Sequence, residues 1–356
     1  MADANAITRE KWIMDCFPEW GTWLLEEVEE TVIEPNAFAI WWLGCTGIWF
    51  KSPAGCNLVI DLFSGNAKTT RKDIPKSQAD HMTYQLGRIT GSDQFHLNPR
   101  NIPHYVDPFK IKSIDAMIAT HDHADHMDIY STAAILNQHN VPFIGPKYST
   151  DKWRGWGVPE NRLITVKPGN VVKLKDTEII ALDSFDRTAL VTAPPNGSIV
   201  GRFPGDMDER AVNYLIRTPS GSFYHSGDSH FSNYALKHGK TYQIDVAIAA
   251  YGENPIGLTD KQTASDVLRF AENLRCKVII PVHYDIWPTF LADPIEVETL
   301  YEMKKNRLQY GFKTYIWQPG GKFVYPADKD MRRYMYPRGF TDAFENEPNI
   351  PFKSFL

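Results

Sequence analysis

The segment Thr120-His121-Asp122-His123-Ala124-Asp125-His126 constrains this chain more than any other. Five of its seven side chains are histidine or aspartate, and all five can ligate a metal. It follows Ile114-Asp115-Ala116-Met117-Ile118-Ala119, an apolar run that reads as a buried strand. Withdrawing so many polar groups from water without a metal or tight pairing is costly. A strand that stops at such a cluster therefore stops at a site, and a polar loop of satisfied histidines is the weaker reading.

Composition narrows the setting. The chain has 356 residues, 43% of them hydrophobic, enough for one large α/β domain or two smaller ones. Its net charge is −5, from 38 basic and 43 acidic residues. That balance argues against a nucleic-acid or membrane-surface partner, though not against a local basic pocket for a small anion. Cys16, Cys45, Cys56 and Cys276 are scattered without a Cys-x-x-Cys pair, as expected of buried free thiols rather than a disulfide framework. The first residues contain no apolar signal core. The longest apolar stretch, Phe38 to Phe50, is broken by Gly44 and Gly47 and is too short to span a bilayer. These features lead us to expect a cytoplasmic protein.

Patterning suggests hairpins first and alternating strands and helices later. Residues 7–32 read as helical with a break at Pro18, and Ala37–Phe50 pairs with Asn57–Phe63 as a hairpin. Residues 64–105 read as a long polar surface excursion. A strand over 113–120 precedes a helix over about 127–139, and Val141–Gly145 is a short strand. Trp153-Arg154-Gly155-Trp156-Gly157 reads as a packed aromatic turn. Val171–Lys175 pairs with Glu178–Leu182, and residues 212–217 pair with 222–226. Val246–Ala250 is a strand, Ala264–Leu274 a helix, Lys277–Pro281 a strand and 294–310 a charged helix. This mixture fits two sheets covered by helices better than one parallel sheet.

Two further strand ends carry ligand-type residues. Tyr224-His225-Ser226-Gly227-Asp228-Ser229-His230 places Asp228 after a small-residue turn, and Ile279-Ile280-Pro281-Val282-His283 places a histidine beyond an apolar run. If the chain is locally extended, His121 and His123 project to one side, with Asp125 and His126 following after a bend. Such a cluster suits zinc, manganese or iron, and has room for two ions.

His-x-His-x-Asp-His at 121–126, Gly-Asp at 227–228 and the late His283 resemble the metallo-β-lactamase superfamily, and Asp61 matches its first motif aspartate. The resemblance implies an αββα sandwich of two mixed sheets flanked by helices, with a metal site at one edge. It assigns His121 and His123 to one metal, Asp125, His126 and His283 to another, and Asp228 to a bridge; Asp61 supports the ligand loop. The superfamily has one more histidine before the bridging aspartate. Here the only histidine between 127 and 224 is His139, inside an expected helix. Asp183 is taken first as an oxygen replacement, Asp186 second and His230 third. Oxygen in place of nitrogen hardens the site, favouring manganese or magnesium over zinc, with manganese the first choice.

The segments Trp41-Trp42-Leu43-Gly44-Cys45-Thr46-Gly47, Phe185-Asp186-Arg187-Thr188-Ala189-Leu190, Tyr251-Gly252-Glu253-Asn254-Pro255 and Pro351-Phe352-Lys353-Ser354-Phe355-Leu356 are similar to the L-ascorbate-6-phosphate lactonase family. Phe17-Pro18-Glu19-Trp20-Gly21 carries the same likeness. The resemblance implies hydrolysis of a small phosphorylated sugar lactone, L-ascorbate 6-phosphate, to 3-keto-L-gulonate 6-phosphate in ascorbate catabolism, by attack of metal-bound hydroxide. It also implies a homo-oligomer. Asp125 or Asp228 would take the water's proton and His230 would protonate the leaving oxygen. Arg187 is the first candidate for the phosphate, with Arg202, Arg210, Arg333 and Arg338 as competitors. Cys45 reads as buried and unreactive, and Trp41, Trp42, Trp49, Trp153 and Trp156 as core. A single domain over 1–356 is expected, with an N-terminal helical extension (about 1–36) and a C-terminal tail (about 327–356). A phosphodiesterase or nuclease of the same superfamily is one alternative, and a non-catalytic metal-bound sensor or scaffold the other.

Overall fold

A computed structural model describes residues 3–16, 18, 22–68, 98–187, 189, 206–254, 260–288 and 291–334. Most of the expected excursion at 64–105 lies outside the described residues. So do Trp20, Arg202, Arg338 and Pro351–Leu356.

The strands form two seven-stranded sheets of matching design. The first runs β16 (Lys322–Tyr325), β1 (Phe38–Trp42), β2 (Ile48–Lys51), β3 (Asn57–Ile60), β6 (Ala116–Ile118), β7 (Phe143–Gly145), β8 (Leu163–Thr165). The second runs β15 (Lys313–Thr314), β14 (Val278–Val282), β13 (Val246–Ala250), β12 (Gly221–His225), β11 (Val212–Thr218), β10 (Thr177–Asp183), β9 (Val171–Leu174). A separate pair, β4 (Ala67–Lys68) and β5 (Asn98–Pro99), is antiparallel. Each large sheet is antiparallel on one side and parallel on the other, with β3–β6–β7–β8 and β12–β13–β14–β15 the parallel runs.

Side-chain alternation sorts the first sheet into two faces. Phe38, Ile40 and Trp42 of β1, with Leu58, Ile60 and Ile118, join the core shared with the second sheet. Ala39, Trp41, Val59 and Met117 point the other way, against α2 (Thr22–Glu30) and α3 (Ile129–Gln138). The second sheet's outer face is covered by α7 (Ala264–Leu274), whose Ala264, Val267, Leu268, Ala271 and Leu274 form one buried stripe behind a Thr263/Asp266 capping box. The remaining helices are α1 (Arg9–Cys16), α4 (Lys147–Gly155), α5 (Met207–Arg210), α6 (Asn233–Thr241) and α8 (Ile295–Leu308). Helices outside two stacked sheets make the expected αββα sandwich. Among the described residues, no helix is long and apolar enough to cross a membrane. All four cysteines are buried and free.

Three differences from the sequence reading are instructive. Ala37–Phe50 is two strands rather than one arm, because the chain reverses at Gly44 (φ +89°), where Leu43 N–H donates to the Gly47 carbonyl at 2.7 Å. The expected aromatic turn at 153–157 is the end of α4, with Trp153 buried and Gly157 (φ +93°) leaving the helix. The helix escaped notice because its remaining residues, Lys147 to Lys152, are mostly polar. The strand expected over 113–120 is only Ala116–Ile118, which leaves Thr120 and everything after it free to form the site.

Candidate metal centre

The site sits where the parallel strands end. β3 and β6 run side by side, and Asp61, the first residue beyond β3, receives the loop that follows β6. Its Oδ1 accepts the Thr120 N–H at 2.8 Å, and its Oδ2 accepts the Thr120 hydroxyl at 2.7 Å and the Thr46 hydroxyl at 2.9 Å. Nδ1 of His126 lies 2.8 Å from the same Oδ2. Asp61 is thus the support that the resemblance implied, and it turns Nε2 of His126 away from itself. The loop closes as His126 and Met127 N–H both donate to the His123 carbonyl, and Asp128 then caps α3. Gly227 (φ +49°) lets the β12 loop lie against this one; a Cβ there would stand 2.8 Å from Thr120 Oγ1.

These ends bring two donor groups together. One comprises Cys45, Asp125, His126 and His283, all buried; the other comprises His121, His123 and Asp228. Within each group the donor atoms lie within 4.8 Å of one another. Asp228 Oδ1 joins the groups, 3.4 Å from Nε2 of both His126 and His283. Asp125 Oδ2 is 3.6 Å from His283 Nε2 and accepts the Trp287 indole N–H at 2.8 Å. His121 Nε2 is 3.0 Å from His123 Nδ1. Nε2 of His126, Oδ1 of Asp228 and both ring nitrogens of His283 are buried without hydrogen bonds. Buried polar atoms are rarely left so, and four of them meeting at one point call for a partner. Nitrogen and carboxylate donors converging on one point fit a divalent metal. Backbone strain marks the same place: Cys45, Asp61 and His283 all have φ between +51° and +75°.

Electrostatics agree. Burial and the neighbouring His126 push His121 down to about 3, so it is a neutral imidazole with a lone pair to give. Burial opposes the protonation of His283, yet the Cys45 sulfur and Asp228 raise it to about 10. His126 is likewise raised despite burial, chiefly by Asp228. Burial would lift Asp228, but Lys261, His283 and His126 hold it well below the ordinary carboxylate range. The centre favours positive charge, which a divalent cation would supply in place of the imidazole protons.

The structure does not bring Asp183 to this group. It is the last residue of β10, paired with Val212, and its carboxylate takes Lys237 at 2.7 Å and His238 at 3.3 Å on the α6 side. Asp186, second in the sequence reading, is the residue that arrives. Its Oδ1 accepts the Ala189 N–H, and its Oδ2 lies 3.6 Å from His121 Nε2, both side chains buried. The strand holds Asp183 in its ladder, and only the loop beyond it reaches the centre. His230 braces that loop: its N–H donates to the Phe185 carbonyl at 2.9 Å, and its Nδ1 accepts the Arg187 N–H at 3.4 Å. The Arg187 side chain is exposed beside Asp186. Arg210 is buried, stacked over Tyr148 and donating to the Ala189 carbonyl, whereas Arg333 is engaged by Glu298.

Four residues escaped the sequence reading. Lys261 is buried with its ammonium 2.6 Å from Asp228 Oδ2, and burial is outweighed by Asp228 and Asp260, which keep it charged. Trp287 and Thr46 hold Asp125 and Asp61. Cys45, read as inert, is buried as expected but joins a donor group, its Sγ 3.9 Å from Asp125 Oδ2. Only Cys45 and Thr46 had a signal, their place in the glycine-flanked turn.

Comparison with known proteins gives these features a family. Residues 91–284 match the model of the beta-lactamase superfamily domain. The "Probable L-ascorbate-6-phosphate lactonase UlaG" of Escherichia fergusonii is 56% identical over 358 aligned positions, and that of Salmonella heidelberg is 55% identical, each covering 100% of both chains. Among solved structures, an isothiocyanate hydrolase from Delia radicum gut bacteria superposes with a TM-score of 0.58 at 15% identity, covering 80% of this chain and 98% of that one. A metallo hydrolase from Ignicoccus hospitalis gives 0.54 at 17%, covering 81% and 98%. The structural likeness shows the fold, and the full-length identity shows more: this chain is a metal-dependent hydrolase that belongs to the L-ascorbate-6-phosphate lactonase family of the metallo-β-lactamase superfamily.

Proposed function

We propose that this protein hydrolyses the lactone ring of L-ascorbate 6-phosphate to 3-keto-L-gulonate 6-phosphate, in ascorbate catabolism. The observation that carries the reading is end-to-end identity of 55–56% with lactonases of that name. The donor groups around Asp228 support it by supplying what lactone hydrolysis requires.

In this reading His121, His123, Asp186 and Asp228 hold one side of the centre, and Asp125, His126 and His283 the other. A bound divalent metal supplies a lowered pKa to water and polarises the lactone carbonyl. Asp125, fixed by the Trp287 indole, is proposed to take the water's proton in preference to Asp228, whose Oδ2 is held by the Lys261 ammonium. His230 accepts the Arg187 N–H at Nδ1, so its neutral form carries the proton on Nε2, and this N–H is proposed to hydrogen-bond the ring oxygen as it leaves. Arg187, exposed beside the Asp186 loop, is proposed to grip the phosphate with its planar fork. Manganese is the proposed metal, because Asp125, Asp186 and Asp228 give the site a hard, oxygen-rich character. A single domain is supported by the pairing of β16 with β1, which ties residue 325 to residue 38 in one sheet. A cytoplasmic setting is supported by four unpaired cysteines. A homo-oligomer is carried from the family resemblance.

The test is a hydrolysis assay on L-ascorbate 6-phosphate after metal removal, with manganese, zinc and magnesium restored in turn and RNA as a competing substrate. Metal-restored opening of the lactone is expected. Cleavage of RNA with no lactone opening would refute the reading in favour of a nuclease, and bound metal without any hydrolysis would refute it in favour of a sensor.

A further inference from the structure

Lys261 is the one fully buried ammonium that touches the donor groups among the described residues. It stands 2.6 Å from Asp228 Oδ2 and 3.1 Å from Asp260. Its seat is built with care. The Asn254 side chain accepts from the N–H of Asp260 at 2.7 Å and of Lys261 at 2.8 Å, and donates back to the Lys261 carbonyl at 2.9 Å. Next door, Gln262 N–H donates to the Ala250 carbonyl at 3.1 Å and its side-chain amide to the Ser229 carbonyl at 2.8 Å. The segment 260–262 is therefore stitched both to the end of β13 and to the residue after Asp228. Such stitching fixes where one cation stands relative to one carboxylate.

The consequence falls on Asp228. Its Oδ2 is committed to the ammonium, and Oδ1 alone faces His126 and His283, 3.4 Å from each. We propose that Lys261 is a positioning residue and resident cation of the metal centre, which restricts Asp228 to ligation through Oδ1 and loosens the centre's hold on its divalent ion. The proposal rests on Asp228 being a metal ligand. Two effects act in the same direction. A fixed positive charge beside the donors repels a dication, and an occupied Oδ2 denies it a second oxygen. A lysine serving only to brace the loop predicts the opposite sign, since its loss would disorder Asp228 and weaken the metal.

The experiment measures manganese and zinc binding to the metal-free full chain by titration calorimetry, with release to a chelator as a second readout. Lys261→Met is expected to tighten manganese on the order of tenfold and to slow its release, because charge repulsion and the competing hydrogen bond both vanish. Lys261→Arg keeps charge and donor, and should bind as the native protein does. Unchanged or weaker binding by Lys261→Met overturns the proposal. Lys261→Gln, uncharged but able to hydrogen-bond, should tighten binding by a smaller factor, through the charge alone, and serves if the methionine variant does not fold. If both neutral variants fail to fold while Lys261→Arg folds, the lysine is a structural counter-ion and the proposal falls. Asp228→Asn separates the underlying reading: it should weaken binding, and if it does not, Asp228 is no ligand and the error lies there.

Discussion

Asp61→Asn is the sharpest perturbation of the centre that replaces no proposed ligand. The carboxylate accepts the Thr120 N–H at Oδ1, and faces two hydroxyls and Nδ1 of His126 at Oδ2. Burial opposes its ionisation, yet His126 holds it at about 2, so it is an anion at any pH of interest. Asparagine has the same shape but only one acceptor oxygen. With that oxygen kept on the Thr120 N–H, the amide NH2 faces three groups that now donate. The two hydroxyls can rotate and accept. Nδ1 of His126 can accept only by moving its proton to Nε2, the atom aimed at the metal. The variant thus either orphans a buried donor, costing about 1–3 kcal/mol, or disables a ligand. Outer partners of this kind typically contribute 10- to 100-fold in metal affinity, roughly 1.4–2.7 kcal/mol. Metal dissociation constants from chelator competition, with urea unfolding of the metal-free protein alongside, measure both branches. A variant that matches the native protein in both would refute the account of Asp61 as the residue that sets the His126 tautomer.

Other substitutions test the remaining assignments. His123→Ala and Asp228→Ala should abolish turnover with the far-UV spectrum unchanged; full activity in a metal-stripped His123→Ala protein would sink the mechanism. Asp186→Ala should weaken metal binding, whereas Asp183→Ala should spare it and cost about 1–3 kcal/mol of stability, since the buried His238 loses its acceptor; the reverse order in metal binding would restore Asp183 as the ligand. Cys45→Ser should weaken zinc more than manganese, because sulfur is the soft donor of its group, and equal changes would show that the thiol only borders the ion. Burial and then Arg100 hold His104 well below its ordinary 6.5. Below pH 6.5 the unfolded chain takes a proton that folded His104 refuses, so it withdraws up to about 1.4 kcal/mol of stability per pH unit. His104→Gln, able to keep the donor to the Ser64 carbonyl, should remove that share, and parallel stability curves from pH 7 to 5 would contradict it.

What could be read from the sequence were the features that a strand end enforces. A buried strand has a fixed period and must stop where polar ligands begin, so His121, Asp228 and His283 declare themselves by position along the chain. The proposed third donor of the first site was legible only as a chemical type. Asp183 and Asp186 are both carboxylates near the same strand end, and what separates them is whether the backbone is still paired. β10 stays in register with β11 through Asp183↔Val212, so Asp183 obeys the strand's alternation and turns toward α6. Three residues later the ladder has ended, and Asp186 is free to swing back toward His121. The hydrophobic pattern cannot tell where a ladder ends when both candidates are polar.

Lys261 was illegible for a different reason. Nothing within its own stretch, Asp260-Lys261-Gln262, distinguishes it from a solvated loop. Its burial is decided by Asn254 and by the Ser229 carbonyl, one in the loop after β13 and the other beside Asp228. A lone charged residue in a loop is usually exposed, and only tertiary contacts reverse that. The same reasoning explains why ligands were easier to find than the groups that tune them. The proposed ligands come as several identical chemical types packed into a few positions, whereas Thr46, Trp287 and Lys261 act on His126, Asp125 and Asp228 from distant parts of the chain. The charge of the centre is therefore adjusted by a residue, Lys261, that no local motif contains. Its affinity for metal should respond more strongly to Lys261 than to any exposed charge nearer in sequence to the histidines, since a buried ammonium is not screened by salt. Raising ionic strength should accordingly leave the affinity difference between native protein and Lys261→Met unchanged, and a difference that collapses in high salt would place that charge in contact with solvent.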